Sequence, residues 1–443
     1  MSVEPDPTAG APEPRVPGWL APLTVALIGL GLRLALVFLY PGNWQFDGYQ
    51  RWAGRDHLVV QVWLPATQAL VWLVARLGGE IVAMRVAFAF LAALVLGLAT
   101  AVAARVGGPR AAWFTLPLAL VGPFLCWSIV PYQESTFLAI TLGALLLWRR
   151  WPLAADLLIG LLALVRYEGW PLLLLWVLLR RDARALLAFW GAGLWLLLKA
   201  TGLVVPFAAS PDSFADWQDL GERWSLGRHL ELTWKLYATA AAAGLPWQAL
   251  AGAFGLRRPW SFEFKFIFWA LVGQFVALSG WVAALDNASS RMMVLPGVFL
   301  GILAARGLAR LWEGPLARPR LRVPLLLACA AFTVWSARDG IQDVRLNLRM
   351  MKAEVRLVAS MRACPGDTWA IKPRVHPGPR RRHDGCEVIQ GITTWRAGVD
   401  FECTTWGWDW AGPAPGLRAT WHPRHDAYDV ERLSGEPAPS CAW

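Results

Sequence analysis

The chain has 443 residues, 56% of them hydrophobic and only 16% charged, with a mean hydropathy of +0.41. Soluble domains carry roughly 25% charged residues, so this composition excludes a string of water-soluble domains, and apolar runs near the ~20 residues that cross a bilayer make the chain a polytopic membrane protein. The net charge of +11 is scattered as short arginine clusters between apolar runs, which excludes the single basic stripe of a nucleic-acid binder.

Residues 1–18 are polar and proline-rich, with no basic segment or cleavage site of a signal peptide, and read as a disordered cytoplasmic N-terminus. About eleven spans follow, near 19–39, 81–104, 111–130, 134–148, 152–165, 170–180, 185–207, 237–255, 264–284, 292–311 and 323–337. Arginines flank every second span: Arg105 and Arg110, Arg149 and Arg150, Arg180 and Arg181, Arg257 and Arg258, then Arg318, Arg320 and Arg322. Short basic clusters stay on the cytoplasmic side. The N-terminus is therefore expected inside and the C-terminus outside, in a bacterial inner membrane with a periplasmic tail. The expected fold class is all-α polytopic, with a membrane module over 19–337 and a small extracytoplasmic α+β or irregular domain over 338–443.

The outer side collects the chemistry-bearing segments. It holds a first loop from Tyr40 to about Gly79, the stretch Pro131-Tyr132-Gln133-Glu134-Ser135, and the hairpin Arg166-Tyr167-Glu168-Gly169. A loop over 210–235, the turn from Asp286 to Arg291 and the tail complete it. The inner loops hold little besides arginine and proline. Most of the 29 tryptophans, Trp44, Trp52, Trp63, Trp217, Trp224 and Trp281 among them, read as an interfacial anchor belt.

The tail holds four of the six cysteines, Cys364, Cys386, Cys403 and Cys441, and an even number on the oxidising side points to two disulfides of undetermined pairing. Cys126 and Cys329 fall in apolar spans and read as small hydrophobes. His422 and His425 form an HxxH with His376 and His383 nearby. No CxxC accompanies them, so no metal site and no cofactor is expected. Asn287-Ala288-Ser289 matches a glycosylation pattern that carries little weight in an arginine-rich, lysine-poor chain. No phosphate-cradling glycine motif or HExxH is present.

Ionisable groups at membrane depth are costly and mark function or pairing. Asp47, in Trp44-Gln45-Phe46-Asp47-Gly48-Tyr49, is the sharpest case. On an interfacial helix Asp47, Arg51 and Arg55 share one face at i, i+4 and i+8. The bland alternative is a surface ion pair worth under ~1 kcal/mol. Glu134 has an alternative as a helix-start acid, Arg166 as the partner of Glu168, and Arg291 and Lys199 as snorkelling anchors.

Taken together, these segments resemble the GT-C membrane glycosyltransferases. The first outer loop carries FDGYQRWA, an aspartate beside an aromatic. VPYQESTFLAITLGALLLWRR is similar to the span of the GPI-mannosyltransferase and related prokaryotic branches that opens on PYSE. GLLALVRYEGWPLLLL resembles their arginine–glutamate–glycine hairpin, and SRMMVLPGVFLGILAARGLARL their span that opens on arginine–tyrosine. The resemblance covers about residues 20–312. Glycine follows Asp47 where many branches carry a second acid, and Met292 replaces the tyrosine.

The resemblance implies transfer of a sugar, a hexose such as mannose, from a polyprenyl-phosphate donor to a lipid, glycan or protein acceptor on the outer face. A phosphate leaves without protonation, so one carboxylate suffices to take the acceptor's proton, and that role falls to Asp47. Arg166, Arg291 and Lys199 are the candidates for the donor phosphate. Glu134, Tyr132, Tyr167 and Glu168 are candidates for binding the acceptor or supporting the base. The rival readings are a transporter or flippase of lipid-linked saccharides, a glycan polymerase or ligase, and a non-enzymatic assembly partner. No internal repeat of the kind transporters carry is visible.

Overall fold

With no water in the bilayer core, a spanning segment must satisfy its own backbone groups, and the apolar runs do so as helices. The computed structural model of the protein describes residues 18–39, 51, 55, 58, 64–203, 226–242, 244–285, 290–314, 320, 322–324, 326–338, 369–372, 417–422 and 427–432. Helix α1 (Leu20–Leu39) lies along α3 (Ile81–Gly107), and α2 (Pro65–Arg76) stands between them in the sequence. A broken crossing follows: α4 (Pro109–Trp113), a 3₁₀ turn over Leu116–Leu120 and α5 (Gly122–Trp127).

Next come α6 (Gln133–Leu147), α7 (Pro152–Gly160) with a 3₁₀ turn over Leu161–Leu164, and α8 (Gly169–Arg180). A 3₁₀ turn over Ala183–Phe189 runs into α9 (Trp190–Ala200). Then come α10 (Leu226–Ala242), α11 (Leu245–Gly255), α12 (Phe262–Leu285), a 3₁₀ turn over Ser290–Met293 and α13 (Val294–Glu313). Helical turns over 326–338 pack on α11 and α13 through Cys329 and Phe332. Proline opens α2, α4 and α7, where its missing N–H costs nothing.

Helix α13 is the centre of the bundle, buried on every side from Val294 to Ala309. From Val294 to Ala305 it is apolar all round, as a helix with no solvent face should be. Between membrane helices, small residues allow close approach. At the crossing of α11 and α13 a side chain on Gly307 would overlap the Ala251 carbonyl oxygen. Outward faces carry Leu23, Leu27 and Phe38 on α1 and Leu194, Leu196 and Leu197 on α9, an apolar exterior suited only to lipid. Among the described residues five helices are long and apolar enough to cross a membrane, and three more are shorter and apolar.

Several expected boundaries change. The span expected as one run over 111–130 is broken where Pro117 sits in a 3₁₀ turn. The span expected over 237–255 is two helices, separated at Gly244, whose φ of +85° and contact with the Phe332 ring leave no place for a side chain. Residues 226–235, expected as loop, belong to α10. The first loop, expected from Tyr40 to about Gly79, contains α2. In the tail, β1 (Trp369–Lys372) pairs parallel with β2 (Leu417–His422), which pairs antiparallel with β3 (Ala427–Arg432). Cys364, Cys386, Cys403 and Cys441 lie outside the described residues, as do Asp47 and residues 1–17.

The two ends of the bundle differ in chemistry. At one end Arg149 chelates the buried Glu263 at 3.1 Å, and Arg180 pairs with the buried Asp156 at 3.1 Å. There too Arg105 donates to the Leu145 carbonyl, and Arg306 to the Pro259 carbonyl at 2.7 Å. This is the arginine-rich end. The opposite end carries the candidate site.

Candidate functional site

Three chain reversals meet at the end opposite the arginines. They are the turn through Ser128–Tyr132 into α6, the turn through Val165–Glu168 into α8, and the 3₁₀ turn Ser290–Met293 into α13. Each presents a charged or aromatic residue to the other two.

Glu134 is the hub. Its side chain is 6% exposed, and its Oε1 accepts from Arg166 Nη1 at 2.6 Å and from Arg291 Nε at 2.9 Å. Its Oε2 is buried with no hydrogen-bond partner among the described residues. Arg166 also chelates Glu168, with Nη2–Oε1 at 2.6 Å and Nε–Oε2 at 3.2 Å. The Arg291 guanidinium lies 3.7 Å from the centre of the Tyr132 ring, a cation–π contact. Tyr132 is buried and meets Trp127 edge-on at 5.7 Å. Glu134 does stand in the first turn of α6, with Tyr132 rather than Glu134 at the N-cap position and no side-chain cap, and its carboxylate also pairs with two arginines.

Two arginines and two glutamates make the cluster neutral. In the turn before α8, burial raises the Glu168 carboxyl, but the Arg166 guanidinium outweighs it and holds the group below its ordinary value. Burial lowers Arg166, and Glu168 and Glu134 more than compensate, so its pKa is raised. Arg166 and Glu168 thus both stay charged.

Tyr167, 47% exposed, links this cluster to α9. Burial raises its phenol, and the neighbouring Trp195 side chain works the other way. One helical turn beyond Trp195, Lys199 sets its ammonium 5.7 Å from the Trp195 ring centre. Lys199 is exposed, and no described carboxylate pairs with it. It is thus a cation on the same end that the neutral cluster does not offset.

The first loop is tied into the same end. Gln68 of α2 donates from Nε2 to the Arg51 carbonyl oxygen at 3.0 Å, a buried bond. Leu64, just before α2, packs with Leu164 and Trp195. Asp47 lies outside the described residues, four positions before this anchored point in the sequence.

Of the residues singled out from the sequence, Glu134, Arg166, Glu168, Arg291 and Tyr132 are brought together, with Tyr167 and Lys199 beside them through Trp195. Trp127, Trp195 and Gln68 were not singled out. The i, i+4 spacing of Trp195 and Lys199 is the one signal that could have found a member of that set. Among the described residues no three His, Cys, Asp or Glu side chains form a metal-binding group.

Among solved structures the chain is similar to ArnT from Cupriavidus metallidurans bound to undecaprenyl phosphate. The TM-score is 0.56 at 16% identity, over 91% of this chain and 93% of that one. It is also similar to the Archaeoglobus fulgidus oligosaccharyltransferase in complex with zinc and sulfate. There the TM-score is 0.54 at 17% identity, over 84% of this chain and 61% of that one. No family model matches the sequence, and no curated protein matches it. Both structures are GT-C glycosyltransferases, and this multi-pass chain has the GT-C fold.

Proposed function

We propose that the protein is a membrane glycosyltransferase that moves a sugar from a polyprenyl-phosphate donor to an acceptor hydroxyl at the end opposite the arginines. The observation that carries this reading is the buried Glu134–Arg166–Glu168–Arg291 cluster, set in a GT-C fold at the end to which the first loop is anchored. The arginine-rich end is assigned to the cytoplasm. Nucleotide sugars are cytoplasmic, so an outward-facing site takes its sugar from a lipid carrier. That ArnT was solved with undecaprenyl phosphate supports a donor of this class.

Asp47 is the general base. As the acceptor oxygen bonds to the sugar's anomeric carbon, the carbon–phosphate-oxygen bond breaks and the proton passes to the Asp47 carboxylate. The departing phosphate keeps its negative charge and needs cations. Lys199 is its principal partner, since Arg166 and Arg291 are largely offset by Glu134 and Glu168. The two arginines supply further N–H donors from a fixed frame. The unsatisfied Glu134 Oε2 suits an acceptor hydroxyl, and the exposed Tyr167 offers a ring face to a sugar. The transferred sugar is a hexose, with mannose favoured by the sequence resemblance. The tail is a disulfide-bonded periplasmic domain.

The test is transfer from a synthetic polyprenyl-phosphate hexose by the purified protein. Asp47→Asn is expected to lower kcat by about 100-fold or more, the usual contribution of a general base, with an unchanged Tm. Full activity in that variant removes Asp47 from the mechanism.

A further inference from the structure

The arginine-rich end treats its arginines in two ways. Arg110, Arg149 and Arg180 each meet a carboxylate: Glu313, Glu263 and Asp156. Where α11 ends beside α13, four arginines come together differently. Arg306 and Arg310, one turn apart on α13, both donate to the Arg257 carbonyl oxygen. Arg306 also reaches the Pro259 carbonyl at 2.7 Å, and Arg310 the Gly255 carbonyl at 3.4 Å. Two guanidinium groups thus converge on one oxygen, and Arg257 and Arg258 stand exposed on the turn that they hold. None of the four forms an ion pair with a described residue.

Arg306 is the costly member. It is 2% exposed, its guanidinium lies 4.2 Å from the Phe264 ring centre, and its Nε is buried with no hydrogen-bond partner among the described residues. Burying a cation against carbonyl oxygens alone leaves most of its charge uncompensated. The carbonyls at the end of α11 contribute only the partial negative charge of a helix C-terminus. The group therefore organises a rigid turn and leaves a strong positive field at its surface. The first residues beyond α13 add Arg318, Arg320 and Arg322 in sequence and no acid.

We propose that Arg257, Arg258 and Arg310 form a binding site for the phosphate of an anionic phospholipid, in the leaflet that borders the arginine-rich end. A phosphate monoanion matches the guanidinium forks and supplies the missing negative charge. A lipid is the source because the site lies at the end of two membrane helices, where headgroups stand at the same level and basic pockets between helices collect acidic lipids. Arg306 does not touch the lipid; it fixes the turn that does. The site is separate from the sugar-transfer site and does not depend on its assignment.

The experiment uses the full chain, delipidated and then offered phosphatidylglycerol, phosphatidylcholine or inorganic phosphate, with bound lipid counted by native mass spectrometry. Arg257→Gln/Arg258→Gln removes two exposed charges without touching the carbonyl caps. At about one kcal/mol per arginine it is expected to weaken phosphatidylglycerol binding by about thirtyfold. Arg181→Gln/Arg184→Gln removes the same charge from another exposed loop of that end and is expected to leave binding within about twofold. Phosphatidylcholine is expected to be lost on washing, and inorganic phosphate not to compete at millimolar concentration. Equal losses in the two double variants would reduce the patch to diffuse interfacial charge and overturn the site. So would equal retention of phosphatidylcholine. Competition by inorganic phosphate would overturn the lipid as its ligand.

Discussion

Two buried carboxylates held by arginine, Glu263 at the arginine-rich end and Glu134 at the opposite end, place the partner's free side differently, although the arginine-rich end also encloses one pair on both sides, Arg180–Asp156 at 6% and 1% exposure. At the arginine-rich end Glu263 is fully buried while its partner Arg149 is 56% exposed, so the pair is a staple with one foot in water. At the opposite end Glu134, Arg166 and Arg291 are 6%, 18% and 20% exposed, and the pairs are enclosed on both sides. The first arrangement holds helices. The second holds helices and also keeps ionised groups, one with a vacant oxygen, in a place where water does not level their interactions. Lys199, exposed and without a described carboxylate, adds a positive charge beside that neutral cluster.

The sharpest test of that asymmetry, after Asp47, is Lys199. Lys199→Gln is expected to raise the KM for the polyprenyl-phosphate donor by about tenfold or more, as loss of a charge-assisted contact to phosphate implies. Its kcat should fall less. An unchanged donor KM in steady-state transfer assays would return the phosphate to Arg166 and Arg291.

The carboxylates come next. Glu134→Leu takes a carboxylate from two enclosed guanidinium groups at once, and removing one partner of an enclosed pair costs about 3 kcal/mol. Glu263→Leu frees Arg149, which water already reaches, and the Trp148 indole N–H, and should cost about 1 to 2 kcal/mol. Thermal unfolding of both variants in one detergent reads the difference directly. If Glu263→Leu is the more damaging, Glu134 is not the more enclosed of the two carboxylates.

Much of this was legible in the sequence because hydropathy and arginine spacing are local signals. The runs that became α1, α3, α12 and α13 stand out by length, and VRYEGW marks the turn where Arg166 and Glu168 sit two residues apart. What was hidden depends on distant partners. Glu134 and Arg291 are 157 residues apart, and nothing near either announces the other. Judged locally, Glu134 two residues after Pro131-Tyr132 is a helix-start acid; only the arrival of α13 and the α8 turn makes it a hub. The division of the expected 237–255 span at Gly244 was hidden for a similar reason, since a single glycine in an apolar run is tolerated, and it is the Phe332 ring from 88 positions later that exploits the missing side chain. Helix α2 escaped because its pattern is short and mixed.

Acidity separates a paired carboxylate from an ordinary one. Glu168 has a lowered pKa, so its stabilising contribution is fully present above the ordinary glutamate value, near pH ~4.3, and is lost only as pH falls through the lowered one. The Tm difference between the wild-type protein and Glu168→Gln is therefore expected to be constant from neutrality down to about pH 5 and to shrink below about pH 4. A difference that already fades between pH 7 and pH 6 would mean that Glu168 does not pair with Arg166 in the membrane-embedded protein.

The smallest effect is expected at Arg110 and Glu313, whose side chains are 50% and 51% exposed and meet at 3.1 Å. Half in water, such a pair gains little over its separated solvated ions, and Glu313→Gln should change stability by less than about 0.5 kcal/mol. The measurement is informative because it calibrates the medium. The pair joins the start of α4 to the end of α13, where the chain leaves the bilayer. A loss near that of Glu134→Leu would mean that lipid headgroups exclude water from the arginine-rich end, so that fractional exposure overstates screening there. The exposed partner of Glu263 would then be as enclosed as those of Glu134, and the contrast between the two carboxylates would rest on the second arginine of Glu134 and on Lys199 alone.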